Sequence, residues 1–336
     1  MSKLEIGFAT YSSLEHRMIP TRLGLSSVLI LLGILQWQPR PVSAGMMLDG
    51  VAEADYVNLS KQSQFSSIGT FQTGNSGTLI APNWVLTAAH LGTLVSGFQL
   101  QAAGPVYGVA EVIPHPTYVS NGSNLAFGFD IQLVRLTTPV IGVTPASIYR
   151  GSSEVGQLAT ITGYGLGGFG SVGTPTLPKT QRAGTNDFDA IVSFADSGGN
   201  TGAKQATLIS DFDANAAGFN TLSMFGSSAT PSAMEYHLTE GDSGGGVFIF
   251  EGGQWLLAGL NSGVNSQFES IGSGNNQRFG YGALSYMTRV SSYTGFIDSN
   301  IAAVPEPSSV ALFGLATALA AGVRSWRHRR KISPTP

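Results

Sequence analysis

Between Gly45 and Asn300 the chain alternates short apolar runs with glycine, asparagine, serine and proline. Most runs are about four to eight residues long, which is typical of β-strands bounded by turns. Seven runs stand out: Ser76–Ile80, Trp84–Thr87, Tyr107–Ile113, Ile131–Leu136, Leu158–Thr162, Gly246–Phe250 and Trp255–Leu260. This pattern predicts an all-β barrel or sandwich.

A helical spacing of apolar positions occurs only near the end of this region. Met287, Val290 and Tyr293 follow one another at intervals of three, which predicts a terminal helix over Tyr286–Ile297. Upstream of this segment no long stretch has a helical period. The segment Asp187–Ser232 is rich in small and polar residues, and we expect it to form an extended loop or a hairpin insertion.

The N-terminus has the pattern of a secretory signal peptide. Arg22 precedes the apolar run Leu23–Leu35, and Val42 and Ala44 supply the small residues of a cleavage site. Residues 1–44 are therefore predicted to be removed on export. An uncleaved membrane anchor is the alternative, but the apolar run is shorter than the ~20 residues that a bilayer span needs.

The C-terminus carries three features in order: the Val-Pro-Glu-Pro motif Val304–Pro307, the apolar stretch Val310–Val323 and the basic cluster Arg324–Lys331. A short span followed by basic residues would hold the chain in a membrane with the basic end in the cytoplasm. This arrangement resembles the PEP-CTERM sorting signal of some bacteria. The resemblance implies that residues 301–336 are recognised by an exosortase-type processing enzyme. A simple tail anchor is the alternative.

The basic terminal segments partly offset the negative charge of residues 45–300, called the body below. The whole chain has a formal net charge of −3, but the body holds 8 of the 17 basic residues and 17 of the 20 acidic ones. An acidic body argues against nucleic acid as a partner, because phosphate binding needs clustered lysine and arginine. The chain has no cysteine, so the predicted export must succeed without disulfides.

Three separated segments contain the residue types of nucleophilic catalysis. Trp84–His90 ends in Thr-Ala-Ala-His, Asp130–Leu136 begins with Asp-Ile-Gln-Leu, and Glu240–Gly246 contains Gly-Asp-Ser-Gly-Gly. A serine hydroxyl needs a base within hydrogen-bond reach, and histidine suits that role near neutral pH. A buried carboxylate fixes the histidine tautomer, and a glycine-rich turn can aim N–H groups at an oxyanion.

These segments, in the order His, Asp, Ser, resemble the signatures of the chymotrypsin/trypsin-like serine proteases, family S1, over roughly Ser67–Ile297. The resemblance implies two orthogonal antiparallel β-barrels, a short C-terminal helix and an active site between the barrels. It implies that Ser243 is the nucleophile, His90 the general base and Asp130 the orienting carboxylate. The N–H groups of Gly241 and Ser243 would form the oxyanion hole.

The same resemblance implies a substrate-binding pocket near His237, Glu240, Ser262 and Gly263. Ser262 matches a position that supports the aspartate and binds the substrate backbone. A histidine at position 237 would lie near the pocket floor and would favour acidic or polar side chains at the cleavage site. A packed histidine in a drifted loop is the alternative.

Two departures from the family pattern affect the site. Ser76 and Leu91 stand where cysteine-bearing relatives brace the histidine loop with a disulfide, so local packing must replace that brace. Asp242 matches the carboxylate that pairs with a freed N-terminus in zymogen-type members, yet Leu48–Val51 is a poor match to their Ile-Val-Gly-Gly start. Activation by cleavage and a site formed constitutively by local donors both stay open.

The sequence thus predicts an exported serine endopeptidase over residues 45–300 that cleaves polypeptides through an acyl-enzyme and needs no cofactor. We expect export across a bacterial inner membrane to the periplasm, the cell surface or the medium. The alternatives are a non-catalytic binding or adhesion protein on this scaffold, or an esterase. The histidines predict no zinc site, whereas calcium in the acidic loop Asp211–Asn215 stays open.

Overall fold

The computed structural model describes residues 45–100, 104–123, 125, 128–193, 206–264 and 278–302. The predicted signal peptide and the features predicted after residue 302 lie outside these described residues. Within them, no helix is both long enough and apolar enough to cross a bilayer.

The described residues form mostly short strands. The strands are β1 Gly45–Met47, β2 Ile68–Phe71, β3 Ser76–Ala81, β4 Trp84–Thr87, β5 Phe98–Gln99, β6 Val109–Pro114, β7 Gln132–Leu136, β8 Ser147–Ile148, β9 Leu158–Gly163, β10 Gly167–Phe169, β11 Arg182–Asp187, β12 Ala190–Val192, β13 Thr207–Asp211, β14 Tyr236–His237, β15 Gly246–Glu251, β16 Gln254–Val264 and β17 Leu284–Arg289. The helices are α1 Glu53–Ser60, α2 Pro116–Ser120 and α3 Thr294–Ala302, with 3₁₀ turns at Ser63–Phe65, Ala89–Leu94, Ser223–Phe225 and Val290–Tyr293.

Two curled sheets make up most of the fold. The first has the strand order β5-β2-β3-β4-β7-β6, and its ends meet where Phe98 and Tyr107 exchange backbone hydrogen bonds of 2.8 Å. The second has the order β11-β9-β15-β16-β17-β13-β12, with β8 beside β16. These two half-barrels, followed by the short helix α3, confirm the predicted trypsin-like all-β fold.

A third, small sheet places the start of the described chain inside the protein. Strand β1 lies between β10, which it pairs with in parallel, and β14, which it pairs with antiparallel. Met46 and Met47 are fully buried there. The N-terminal segment is therefore part of the second half-barrel's core, close to the strand that carries His237.

Alternation of side chains along β4 explains how the half-barrels pack. Val85 points into the core of the first half-barrel, whereas its neighbours Trp84 and Leu86 join a different cluster that also contains Phe248 of β15 and Ile297 of α3. Side chains on a strand alternate between its two faces, so one strand serves two cores. This shared apolar cluster holds the two half-barrels together and fixes the cleft between them.

The predicted terminal helix is wrong in its first half. Tyr286–Arg289 belongs to strand β17, a 3₁₀ turn follows at Val290–Tyr293, and α3 begins only at Thr294. Tyr286 and Met287 are both fully buried because β17 lies between β13 and β16 in the second sheet. A strand that is buried on both faces shows no alternation of apolar and polar residues. The apolar residues at intervals of three therefore resembled a helical pattern by chance.

Two further segments bear on the predictions. Helix α1 was not predicted, because its eight residues bury only Tyr56 and Ser60 and leave too short an apolar face to detect. The segment Asp187–Ser232 was expected to be a loop or a hairpin insertion, and in its described part the consecutive strands β12 and β13 pair antiparallel, as in the hairpin alternative, while β13 also pairs with β17 of the second sheet.

Candidate active site

The structure brings the three predicted catalytic side chains together at the cleft. His90 lies in the 3₁₀ turn after β4, Asp130 lies two residues before β7, and Ser243 lies in the turn between β14 and β15. Nε2 of His90 is 3.0 Å from Oγ of Ser243, and Nδ1 of His90 is 2.8 Å from Oδ2 of Asp130. The three groups form one continuous hydrogen-bonded chain.

Asp130 is held by donors from both half-barrels. Its Oδ1 accepts the backbone N–H of His90 at 2.7 Å, and its Oδ2 also accepts the hydroxyl of Ser262 at 2.5 Å. Thr288 donates to the backbone carbonyl of Asp130 at 2.9 Å. The Asp130 side chain is only 1% exposed, and these hydrogen bonds fix its orientation toward His90.

The surroundings of His90 favour a proton on its ring. Burial acts to lower the pKa of His90, but the negative charge of Asp130 and the hydrogen bond to it outweigh burial and raise the pKa above the usual 6.5. With Nδ1–H donating to Asp130, the lone pair of Nε2 faces Ser243. This tautomer is the one that can accept the serine proton.

The turn around Ser243 depends on glycine. Gly244 has φ +82°, and a Cβ there would lie 2.0 Å from Oγ1 of Thr87. Its N–H is bound by the carbonyl of Asn261, and that of Gly245 by the carbonyl of Asp242. Among the described residues, the N–H groups of Gly241 and Ser243 have no hydrogen-bond partner. These are the two groups expected to bind an oxyanion.

Ser76 connects the first half-barrel to this turn. Its N–H donates to the carbonyl of Ser243 at 3.0 Å, and its Oγ donates to the carbonyl of Gly241 at 2.8 Å. The same Oγ accepts the N–H of Tyr164 at 2.9 Å. Leu91, the other residue at the expected brace, is buried in the core of the first half-barrel. Hydrogen bonds and packing therefore stand where relatives have a disulfide.

Asp242 is fully buried next to Ser243 and is held by local donors. Oδ1 accepts the N–H of Gly165 at 2.9 Å, and Oδ2 accepts the N–H and hydroxyl of Thr239 at 2.9 and 3.1 Å. Burial raises the pKa of Asp242 to about 6, against these donors and the Arg182 guanidinium, which lower it. Gly165 is required because a Cβ there would collide with the carboxylate.

A small cavity adjoins Ser243 where the substrate-binding residues were predicted. Glu240, Ser262 and Gly263 line it, together with Arg278 and Phe279, which the sequence did not single out. Arg278 and Phe279 precede β17 in sequence. They lie beside Ser243 only because the folded chain returns to the cavity before β17 begins. No local motif marks them, so sequence reasoning had no signal for them.

His237 does not line this cavity. It is fully buried, its Nδ1 is 2.7 Å from the Ser285 hydroxyl, and its Nε2 is 3.1 Å from the Arg278 carbonyl. It stacks on Phe212 with ring centroids 5.6 Å apart. Burial lowers its pKa to about 4, so the ring is neutral at pH 7. Its predicted contact with substrate stays a prediction.

The other candidate sites carry no clear chemistry. His115 stacks on Phe129, contacts the ring of Phe296 at a tilt and accepts the N–H of Thr117, so its contacts are structural. In the part of the chain that the structure describes, no three histidine or acidic side chains are arranged to hold a metal ion. Asp211 and Asp213, in the loop considered for calcium, are buried beside Asp189 and Glu235.

Two family sequence models match the chain. The model named Trypsin matches residues 57–205, and the PEP-CTERM protein-sorting motif matches residues 303–330. The first range contains His90 and Asp130 and ends before Ser243. The second contains the Val-Pro-Glu-Pro motif at 304–307.

Individual relatives are distant. Kallikrein-15 from Homo sapiens is 32% identical over 124 residues, which cover 34% of this chain and 46% of that protein, so the chain spans about half the length of that relative. Chymotrypsin-like elastase family member 1 from Macaca fascicularis is 26% identical over 258 residues, covering 71% of this chain and 83% of that protein. The solved structure of mouse neuropsin, a serine protease, is 21% identical with a TM-score of 0.46, covering 71% of this chain and 95% of neuropsin.

Proposed function

Because the chain is a trypsin-like serine protease of family S1 with a C-terminal PEP-CTERM motif, we propose that it is an exported endopeptidase that uses His90, Asp130 and Ser243. The observation that carries the proposal is the unbroken hydrogen-bond chain from Ser243 through His90 to Asp130, at 3.0 and 2.8 Å. A serine next to a histidine that is itself oriented by a buried carboxylate is an activated nucleophile.

The reaction begins when Oγ of Ser243 attacks the scissile carbonyl carbon while Nε2 of His90 takes the hydroxyl proton. The imidazolium that forms is stabilised by Asp130. His90 then gives the proton to the leaving amine, and an acyl-enzyme remains. Water, deprotonated by His90, attacks the ester and releases the second product.

The tetrahedral intermediates carry a negative oxygen. The N–H groups of Gly241 and Ser243 are in the turn that faces the cleft, and we assign them to this oxygen. Removing one such donor typically costs about 10²–10³ in kcat. Ser76 holds the Gly241 carbonyl, and the Asp242 carboxylate is bound by the N–H groups of Thr239 and Gly165, so the turn is positioned before substrate arrives.

Asp242 supports a site that is formed without a freed N-terminus. Its carboxylate already has three local donors, from Gly165 and Thr239. We therefore favour the constitutive alternative over activation by cleavage. The buried guanidinium of Arg182, which also pairs with Glu53, supplies positive charge nearby.

The matched sorting motif supports delivery to the membrane or cell surface. An exosortase-type enzyme would act on the segment around 304–307, and the predicted signal peptide of residues 1–44 would direct export. The domain limits 45–300 and 301–336 belong to this proposal. The substrate is a polypeptide, and the acidic body argues against nucleic acid.

A fluorophosphonate probe tests the proposal on the exported form of the full-length protein. We expect labelling of the parent and of Ser228→Ala, which changes a surface serine, and no labelling of Ser243→Ala. Absence of labelling in a folded parent would favour the non-catalytic binding protein. Turnover of ester but not peptide substrates would favour the esterase.

A further inference from the structure

The cavity beside Ser243 is very small. Its volume is about 40 Å³. A cavity that just holds one water molecule has about 10–15 Å³ of this kind of volume, so this cavity has room for roughly three water-sized groups. The side chain of the residue whose carbonyl is attacked, called P1, must fit this space if the proposed reaction is correct.

The walls that limit the cavity are well packed. Phe279 is 9% exposed, and Val264 is 4% exposed. Phe279 meets the ring of His237 edge-on, with centroids 6.4 Å apart. Protein interiors are close-packed, so an added aromatic ring would fit here only if a wall side chain moved. A large P1 side chain would therefore have to displace Phe279.

The histidine behind Phe279 offers no charge to a substrate. Both ring nitrogens of His237 are engaged, by Ser285 and by the Arg278 carbonyl. The ring is enclosed by Phe212 and Phe279. A lysine or arginine at P1 would find only the Glu240 carboxylate, which is already paired with Arg278, so its buried charge would be costly.

The charges at the cavity's mouth offset each other. Nη1 of Arg278 is 3.2 Å from Oε1 of Glu240, and the Arg278 guanidinium lies 4.8 Å above the Phe279 ring. Both side chains are partly exposed, at 39% for Arg278 and 57% for Glu240. Because this pair is neutral as a whole, neither an acidic nor a basic P1 residue gains a free partner.

We propose that this cavity selects a small, uncharged P1 side chain, such as that of alanine or serine, and that Phe279 sets the size limit. The inference rests on the proposed peptidase function. Its structural basis is the cavity volume, the position of Phe279 and the Glu240–Arg278 ion pair beside Ser243.

The test uses the exported full-length enzyme and quenched fluorescent peptides that differ only at P1: alanine, serine, phenylalanine, lysine or aspartate. We expect kcat/KM for alanine and serine to exceed that for phenylalanine and lysine by about 10-fold or more, the scale of discrimination that pocket size provides. A preference for phenylalanine or lysine would overturn the inference and leave the peptidase function standing. Cleavage of none of the peptides would count against both.

Two variants test the assigned residues. Phe279→Ala should raise kcat/KM for phenylalanine relative to alanine, whereas Phe250→Ala, which changes an exposed ring on β15, should not. If Phe279→Ala does not fold, Val264→Ala enlarges the same cavity and should shift the ratio in the same direction. Glu240→Gln should raise the aspartate-to-alanine ratio, because it leaves the Arg278 charge unpaired. Unchanged ratios in these folded variants would show that Phe279 and the ion pair do not determine specificity.

Discussion

The hydroxyl of Ser76 donates a hydrogen bond of 2.8 Å to the carbonyl oxygen of Gly241, which links the first half-barrel to the turn that carries Ser243. The bond is buried, and the same hydroxyl accepts the N–H of Tyr164. One serine therefore satisfies two backbone groups at the point where relatives have a disulfide-bonded cysteine. A chain without cysteine fixes its active-site turn by polar contacts instead.

Ser76→Ala should weaken both the fold and the site. Removing the hydroxyl leaves buried backbone groups of Gly241 and Tyr164 without a partner, which typically costs about 1–3 kcal/mol. We also expect kcat to fall more than KM changes, because the Gly241 N–H would be less well positioned. Denaturant unfolding and steady-state kinetics measure the two effects, with Ser228→Ala as the surface control. Parent-like stability and kcat would refute the bracing role.

His90 should titrate above its usual range only while Asp130 is charged. Its folded pKa is raised above 6.5 by Asp130 against the opposing effect of burial. In Asp130→Asn burial acts alone, so the pKa should fall below 6.5. NMR titration of the His90 ring measures both values, and His115, whose pKa burial lowers, is an internal control. An unchanged midpoint in Asp130→Asn would contradict the assignment.

The same relationship predicts the pH dependence of activity. The general base must be unprotonated, so kcat/KM should rise with pH along a limb whose apparent pKa lies above 6.5. Asp130→Asn should also lower kcat by about 10⁴-fold through the wrong tautomer. Asp298→Asn, which removes a surface partner of Arg150, should leave both the limb and kcat unchanged.

Turnover should not require a free amine at the start of the mature chain. Asp242 is already bound by Gly165 and Thr239, so no donor is missing from its carboxylate. We expect the same turnover from protein that begins at Gly45 and from protein that keeps extra residues before it, with both N-termini established by mass spectrometry. Loss of turnover in the extended form, recovered on trimming, would establish activation by cleavage.

Local patterns predicted the strands near the site well. The bounds of β4 at Trp84–Thr87 are those expected, because turns and a buried, β-branched run mark them. The motifs around His90, Asp130 and Ser243 marked the three residues as one candidate triad, and the structure brings their side chains together. Their catalytic roles stay a prediction.

The remaining features depend on contacts that are distant in sequence. Arg278 and Phe279 reach the cavity through the path of the chain before β17, and Arg182 is buried beside Glu53 and Asp242 without any local signal. The apolar residues from β17 onward are spaced as in a helix, because both faces of the strand are buried and carry apolar side chains. The spacing of apolar residues along the sequence reflects only local structure, whereas tertiary packing determines where these residues lie.

A cluster of buried acids around β13 should make stability fall as pH rises. Asp189, Asp211 and Asp213 lie close together, and burial raises the pKa of each. The pKa of Asp213 is raised to about 7, with the charges of Asp211 and Asp187 adding to the effect of burial. Among the described residues Oδ1 of Asp213 has no hydrogen-bond partner.

The sign of the effect follows from proton binding. Between the ordinary pKa of 3.8 and about 7, the folded state keeps the Asp213 proton that the unfolded state has released. The free energy of unfolding must therefore decrease as pH rises through this window, by up to about 1.4 kcal/mol per pH unit for one such group. Above the folded pKa the contribution becomes constant. This dependence is opposite to that of a salt-bridged carboxylate.

Asp213→Asn isolates this contribution. We expect the variant to show a shallower fall in stability between pH 4 and 7 and to be more stable than the parent at pH 8, as measured by urea unfolding across that range. Asp298→Asn is the matched control of opposite sign, because Arg150 lowers the pKa of Asp298, so its removal should cost a little stability above pH 4 and none below. An Asp213→Asn profile parallel to the parent's would mean that Asp213 is already ionised in the folded protein, and that the cluster has found a counter-charge.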